Sequence, residues 1–277
     1  GQIVGILNQF APEQLKADQV QTLRLLGDAS RLAFADRDRY AADPDFVKVP
    51  AKALLSNAYL KQRADLLKQG NQALPQVSAG EVAGIQTASA AAIELPSTSH
   101  IVVVDAAGNV LSMTTSIENA FGSTLMANGY LLNNELTDFS FEPQKNGVAV
   151  ANRVEGGKRP RSSMAPTIVL KDGKPYLAVG SPGGSRIIGY VAKTLVAHID
   201  WGMDIQQAIS YSNLINRFGT YELEQNTPAA AFAGSLAGIG YKTEVRDLNS
   251  GVQGIVITAD GLQGGADPRR EGKVMGE

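Results

Sequence analysis

The sequence contains no cysteine, which excludes disulfides, a thiolate nucleophile and cysteine-based zinc sites but leaves the compartment open. Histidine is almost as scarce. His100 and His198 are the only two, so a mechanism that needs several imidazoles is poorly served. A surplus of either charge is missing too: 25 basic and 27 acidic residues leave the 277-residue chain at a net −2, scattered along its length, and no tract points to nucleic acid or to an anionic membrane surface. No run approaches the roughly 20 apolar residues that span a bilayer. The opening Gly1-Gln2-Ile3-Val4-Gly5-Ile6-Leu7 is too short, and lacks the basic flank, for a signal peptide. What is present is an ordinary globular composition, 44% hydrophobic, enough for one large core or two small ones.

Residues 1–70 read as helical. Leu15, Val20, Leu23 and Leu26 sit at helical spacing over 11–26, with Pro12 tolerable in a first turn. The pattern continues over 29–39 and breaks at Asp43-Pro44-Asp45, because the residue before proline is pushed out of the α region. A further helix is predicted over 51–68, stopping at Gly70. Residues 71–97 are rich in Ala, Ser and Gln, lack aromatics and read as an exposed connector. From His100 the period becomes that of strands. One hairpin is predicted over 100–105 and 110–115, and a second over 167–170 and 175–179 with its turn at Asp172-Gly173. An apolar helix follows over 185–199, then a helix opened by the capping box Asp204 and Gln207. Strands near 221–224, 243–246 and 254–258 and a helix near 228–237 complete the reading. Strand pairs followed by helices favour sheets covered by helices.

The seam Pro96-Ser97-Thr98-Ser99-His100 carries the chemistry. If the chain were cut before Thr98, that residue would open a strand with a free α-amine beside its own hydroxyl. An α-amine titrates near pH 8, so it can serve as general base for the adjacent Oγ, and one residue supplies both nucleophile and base. Ser/Thr clusters at strand starts also occur simply as turn residues.

Beyond this seam, Val103, Asp105, Gly108-Asn109, Thr114-Thr115-Ser116-Ile117-Glu118 and Phe121-Gly122-Ser123 follow in order. So do Leu132-Asn133-Asn134-Glu135-Leu136-Thr137-Asp138-Phe139, Lys158-Arg159-Pro160-Arg161-Ser162-Ser163-Met164, Gly180-Ser181-Pro182-Gly183-Gly184-Ser185-Arg186 and Asp267-Pro268-Arg269. This series resembles the small subunit of the γ-glutamyltranspeptidases. Ala33-Phe34-Ala35-Asp36-Arg37 and Asp43-Pro44-Asp45-Phe46 resemble the end of that family's large subunit.

The resemblance implies an α+β fold, the αββα sandwich of the N-terminal-nucleophile hydrolases, with antiparallel sheets covered by helices and the start of the large subunit absent. It implies three segments: 1–70 as the end of the large subunit, 71–97 as a connector ending at the cleavage site, and 98–277 as the small catalytic subunit. Autoproteolysis would fall between Ser97 and Thr98. Thr98 would then carry γ-glutamyl groups, from glutathione and related amides, to an amino acid or water. No metal or organic cofactor is implied.

Residue by residue, the resemblance makes the Gly183 and Gly184 amides the oxyanion hole. Ser116 becomes a hydroxyl that contacts the nucleophile. Ser162 and Ser163 match donors to the substrate α-carboxylate, flanked by Arg159 and Arg161. Glu135 and Asp138 match acceptors for its α-ammonium, and Glu118 is a further contact to that amine. His100, which shares a strand face with Thr98, reads as packed and hydrogen-bonded, and His198 as structural. Arg186 and Arg269 read as local anchors.

The missing large-subunit portion is then an expected partner; in the family it holds an arginine for the α-carboxylate and further strands. The family implies a periplasmic or extracellular location. Residues 142–157 are short and contain no tyrosine, where lidded members carry a longer aromatic loop, so an open site that admits bulky γ-glutamyl substrates is expected. A cephalosporin or glutaryl acylase on the same scaffold, and a non-catalytic fragment, are the alternatives.

Overall fold

The structure is a computed structural model that describes residues 1–90 and 97–276. The last part of the expected connector, 91–96, lies outside the described residues. In chain order the helices are α1 (Gln2–Leu7), α2 (Val20–Tyr40), α3 (Ala51–Leu54), α4 (Asn57–Leu67), α5 (Ile187–Ile199), α6 (Ile205–Ser210) and α7 (Ala233–Gly238). The strands are β1 (Ser97–Val104), β2 (Val110–Glu118), β3 (Met126–Ala127), β4 (Tyr130–Leu131), β5 (Gln144–Lys145), β6 (Val148–Ala149), β7 (Thr167–Lys171), β8 (Lys174–Gly180), β9 (Leu214–Asn216), β10 (Thr220–Glu224), β11 (Lys242–Arg246), β12 (Gln253–Thr258) and β13 (Gly261–Ala266). Two compact units result, and they interleave the sequence. One takes residues 1–93, 136–162 and 214–246, and the other takes 94–135, 163–213 and 247–277.

The first unit is organised on α2. The helices expected over 11–26 and 29–39 are one continuous helix that starts at Val20, and Pro12 opens a separate 3₁₀ turn, Pro12–Gln14. Gly27 is helical despite a propensity cost of about 1 kcal/mol. A Cβ there would lie 2.5 Å from the Tyr221 ring, so the glycine lets β10 approach the helix. The Tyr221 hydroxyl donates to the Leu23 carbonyl at 2.9 Å, and the Tyr241 hydroxyl to that of Arg24 at 3.1 Å. The helix expected over 51–68 is two, divided at Ser56, whose Oγ caps α4 by accepting the Tyr59 N–H at 3.3 Å. In the sheet β9-β10-β11, the β10–β11 pair is parallel and encloses α7.

The described part of the connector differs from the exposed strap expected of it. Asp28 accepts the Leu74 N–H at 3.0 Å and Asp36 that of Gly80 at 2.8 Å. Arg63 donates to the Ser78 carbonyl at 2.7 Å, and the Tyr40 hydroxyl to that of Gly80 at 2.6 Å. Ile85 packs with Tyr40, Leu54 and Tyr59. Charged side chains spaced along the helices hold a segment that has little apolar surface of its own to bury.

The second unit is layered. Strands β13-β12-β8-β7 form an antiparallel sheet. The Asp172-Gly173 turn has both residues at positive φ, 52° and 76°, as a two-residue hairpin requires. On one face a Cβ at Gly254 would meet Ile205 of α6 at 3.1 Å, and one at Gly265 would meet Ile209 at 2.8 Å. Gly254 pairs with Val179, so the next residue of β8, Gly180, points to the opposite face. There a Cβ would fall 2.2 Å from the His100 ring, and the Ser112 hydroxyl donates to the Val179 carbonyl at 3.2 Å. The β1–β2 hairpin therefore covers one face and α6 the other. Its outward side is the more apolar one: Ile101, Val103, Leu111 and Met113 are all exposed, whereas Thr98, His100, Ser112, Thr114 and Ser116 alternate with them on the inner side.

Asp267-Pro268-Arg269 is structural in this unit. Arg269 donates to the Ile209, Ser210 and Tyr211 carbonyls at 3.2–3.3 Å, and Lys193, fully buried, donates to those of Ala208, Ile209 and Tyr211 at 3.0–3.2 Å. Two cations thus satisfy the carbonyl end of α6. Among the described residues, no helix is long and apolar enough to cross a membrane.

Candidate active site

Thr98 stands on β1 directly opposite Ser116 of β2, and the pairing register shifts between Ser97 and Thr98. The strand runs through the expected cleavage point. Thr98 Oγ1 lies 3.1 Å from Ser116 Oγ, and Ser116 Oγ also accepts the Glu118 N–H at 2.9 Å. Glu118, the last residue of β2, is buried and held at φ 69°, a left-handed conformation that costs a side-chain-bearing residue roughly 1 kcal/mol. Its Oε2 accepts from Asn134 Nδ2 at 2.6 Å. Four residues from two stretches of sequence are thereby linked around the Thr98 hydroxyl.

Gly183 and Gly184 lie in the turn between β8 and α5, in the same unit, three residues past the glycine that touches His100. Their φ values are 137° and 59°. Both are buried, and among the described residues neither N–H is donated to another protein group. Two adjacent buried N–H groups left over by the backbone are donors of the kind an anion can use. Serving as an oxyanion hole requires only that such donors face the developing charge.

Glu135 opens a 3₁₀ turn, Glu135–Asp138, and takes the Asn133 side chain on its own N–H at 3.0 Å. Asp138 and Ser162 belong to the first unit, where Asp138 is buried and its carbonyl accepts Asn152 Nδ2 at 2.8 Å. Ser162 is exposed, and Ser163, in the second unit, is buried. The basic residues before them are occupied. Arg159 grips Asp43 through Nε and an NH2 group at 2.9 and 2.8 Å and reaches Asp45 at 2.6 Å, which holds the Asp43 carboxyl far below the usual carboxylate range. Arg161 pairs with Asp38 at 3.0 Å, and Lys158 Nζ donates to the Ala151 carbonyl at 2.6 Å. These cations fix the segment rather than present charge to a ligand.

His100 Nδ1 is 2.8 Å from Thr114 Oγ1, and burial pulls the ring down to a pKa of about 4. It is neutral at neutral pH and reads as a packed residue. An unfolded histidine titrates near 6.5, so between about pH 4 and 6.5 the unfolded chain binds more protons. Stability is then full above 6.5 and is lost as pH falls towards 4. Unfolding of the protein in urea at pH 7 and pH 5 is expected to show a loss about 1 kcal/mol larger in the wild type than in His100→Gln, after discounting for partial exposure. His198 Nδ1 donates to the Met203 carbonyl at 2.7 Å and its Nε2 lies 2.8 Å from the Tyr176 hydroxyl, a structural arrangement.

Sequence reasoning did not single out Asn134, although it stood inside a quoted motif. An asparagine next to another in a polar turn gives no signal of its own, and only the fold shows it bound to Glu118.

Compared with known proteins, residues 1–277 match the family Gamma-glutamyltranspeptidase along their whole length. The glutathione hydrolase proenzyme of Bacillus subtilis is 38% identical over 289 residues, covering 99% of this chain and 48% of that protein. The Acylase ACY 1 proenzyme of Pseudomonas sp. is 33% identical over 269 residues, covering 96% of this chain and 45% of that protein. The chain thus spans about half the length of the curated relatives it matches. A γ-glutamyltranspeptidase from Pseudomonas nitroreducens complexed with L-DON superposes with a TM-score of 0.58 at 32% identity, covering 64% of this chain and 98% of that one. A cephalosporin acylase from Bacillus halodurans shares the fold with a TM-score of 0.82 at 24% identity, covering 99% of this chain and 48% of that one.

Proposed function

Because this chain belongs to the γ-glutamyltranspeptidase family, we propose that the whole protein cuts itself before Thr98 and then transfers or hydrolyses γ-glutamyl groups through a Thr98 ester. The observation that carries the reading is the Thr98–Ser116–Glu118 arrangement, with a hydroxyl 3.1 Å from the nucleophile and a buried carboxylate two residues on.

In the cut, Thr98 Oγ attacks the Ser97 carbonyl carbon and the acyl group shifts from nitrogen to oxygen. Water then hydrolyses that ester, leaving a carboxylate on Ser97 and an amine on Thr98. In turnover the amine takes the Oγ proton as Oγ attacks the γ-carbonyl of the donor. The Gly183 and Gly184 amides stabilise the tetrahedral oxyanion, the proton passes to the leaving amine, and water or an amino acid releases the ester. The family reading assigns Ser162 and Ser163 to the α-carboxylate and Glu118, Glu135 and Asp138 to the α-ammonium, donors for the anion and acceptors for the cation of a zwitterion. With only a short β5–β6 turn over 144–149 in place of a longer loop, bulky γ-glutamyl donors would enter.

The remaining half of the proenzyme is the partner, and its place is the outward face of β1–β2. Four apolar side chains there, Ile101, Val103, Leu111 and Met113, are 43–47% accessible. Such a face calls for a cover. An exported location accompanies this family reading.

An acylase reading is favoured by the 33% identity to the Acylase ACY 1 proenzyme. Assaying the complete processed protein on γ-glutamyl and glutaryl anilides separates the two, because the substrates differ only in the α-amine. The acidic set predicts a preference of at least about 100-fold for the γ-glutamyl compound, as expected when a buried polar site meets an analogue lacking its partner. Equal rates would reject the γ-glutamyl assignment.

A further inference from the structure

We propose that Asn134 is the positioning residue for Glu118 and so sets how firmly the site holds the α-ammonium of a γ-glutamyl donor. The proposal rests on the reading of Glu118 as an ammonium contact given above.

Asn134 clasps three consecutive residues at the end of β2. Its backbone N–H donates to the Ile117 carbonyl at 3.2 Å, its Nδ2 to Glu118 Oε2 at 2.6 Å, and its Oδ1 accepts the Asn119 N–H at 2.9 Å. The last contact fixes the amide's orientation, since the oxygen must face an N–H and the NH2 group is then turned to the carboxylate.

Glu118 needs such a clasp. It is buried, it has left the β region for φ 69°, and its N–H is tied to the same Ser116 hydroxyl that meets Thr98. A residue held in that region persists when its surroundings over-determine it, and such residues concentrate where a side chain must be aimed. The partner's chemistry matters as well. An arginine or lysine in place of Asn134 would cancel the carboxylate's charge, whereas a neutral amide aims it and leaves the charge for a cation.

The test measures equilibrium dissociation constants of L-glutamate and of glutarate, which lacks the amine, on the complete processed enzyme. The expected result for Asn134→Ala is about 10-fold weaker binding of L-glutamate, the loss of a hydrogen bond to a charged group, with glutarate binding changed less than about 2-fold. In a Glu118→Gln background the same substitution is expected to add almost nothing, because the two residues act as one. Asn134→Leu, close in shape and without the amide, is expected to discriminate in the same direction and serves if the alanine variant does not fold. Parallel weakening of both ligands, or an undiminished effect without Glu118, overturns the proposal. If Glu118→Gln changes the ligand ratio and neither Asn134 variant does, the role of Asn134 is rejected and that of Glu118 stands. If Glu118→Gln has no effect on the ratio, both are rejected.

Discussion

Thr98→Ala in the complete protein is expected to leave a single uncut chain and to lower γ-glutamyl turnover by at least about 10⁴-fold, as when a covalent nucleophile is removed. The two losses have one cause. In the proposed mechanism the hydroxyl that attacks the Ser97 carbonyl in the precursor is the one that later attacks the donor, and the amine that serves it as base exists only after the first attack. What the variant lacks is the nucleophile itself, and the hydroxyl beside it, Ser116 Oγ, is engaged by the Glu118 N–H. Thr98→Ser keeps the hydroxyl and the amine, so it is expected to cut and to turn over, more slowly than the wild type because the methyl group that restricts χ1 is gone. Mass spectrometry of the purified protein distinguishes one species from two, and amino-terminal sequencing places the cut. Cleavage between Ser97 and Thr98 in the alanine variant would remove the premise of the mechanism.

Elements whose local chemistry agrees with their tertiary role were legible in the sequence. The β1–β2 and β7–β8 hairpins, α5, and the Asp204–Gln207 box were all read from period, turn residues and caps. What was lost depends on partners distant in sequence. Pro12 suggests a first turn near 11 and Gly27 a break, yet α2 starts at Val20 and runs through Gly27, whose missing side chain leaves room for the Tyr221 ring. β13, Gly-Leu-Gln-Gly-Gly-Ala, has almost no β propensity; Gly264 lets Val274 lie against it and Gly265 lets α6 do so. The 71–90 segment looks like a free linker because its attachment is made by Asp28, Asp36 and Arg63 from elsewhere, through backbone groups that every sequence possesses.

The site divides in the same way. Thr98, Ser116 and Glu118 are two residues apart or face each other across a hairpin, so strand period and register place them together once the hairpin is read. Asn134 comes from another stretch, and neither period nor composition marks it. Arg159 and Arg161 stand beside Ser162 and Ser163 in sequence, which suggests an anion site, but their charges are spent on Asp43, Asp45 and Asp38. Proximity along the chain is a poor guide where a long side chain can reach either way.

Gly183→Ala is expected to lower kcat by about 10²–10³-fold with little change in KM, the loss typical of an oxyanion-hole donor. The reasoning starts from the backbone. At φ 137° an L side chain is strained, and the new Cβ would stand 2.6 Å from the ring of Tyr190, which is itself fully buried in α5. The ring has nowhere to retreat, so the turn must yield, and both amides turn away from their present directions. In the proposed site, ground-state binding rests on the carboxylate and ammonium contacts and should survive, whereas charge on the former carbonyl oxygen develops only at the transition state. Gly184→Ala makes a useful contrast. At φ 59° alanine is tolerated at a cost of roughly 1 kcal/mol, so this variant should keep the turn and lose less rate. Burst kinetics with a γ-glutamyl anilide would show where the loss falls: acylation should slow in Gly183→Ala, because the oxyanion forms before the ester does. A variant that acylates at the wild-type rate while its turn is shown to have moved would mean that the oxyanion is held by other donors, and the glycine pair would then be only the hinge between β8 and α5.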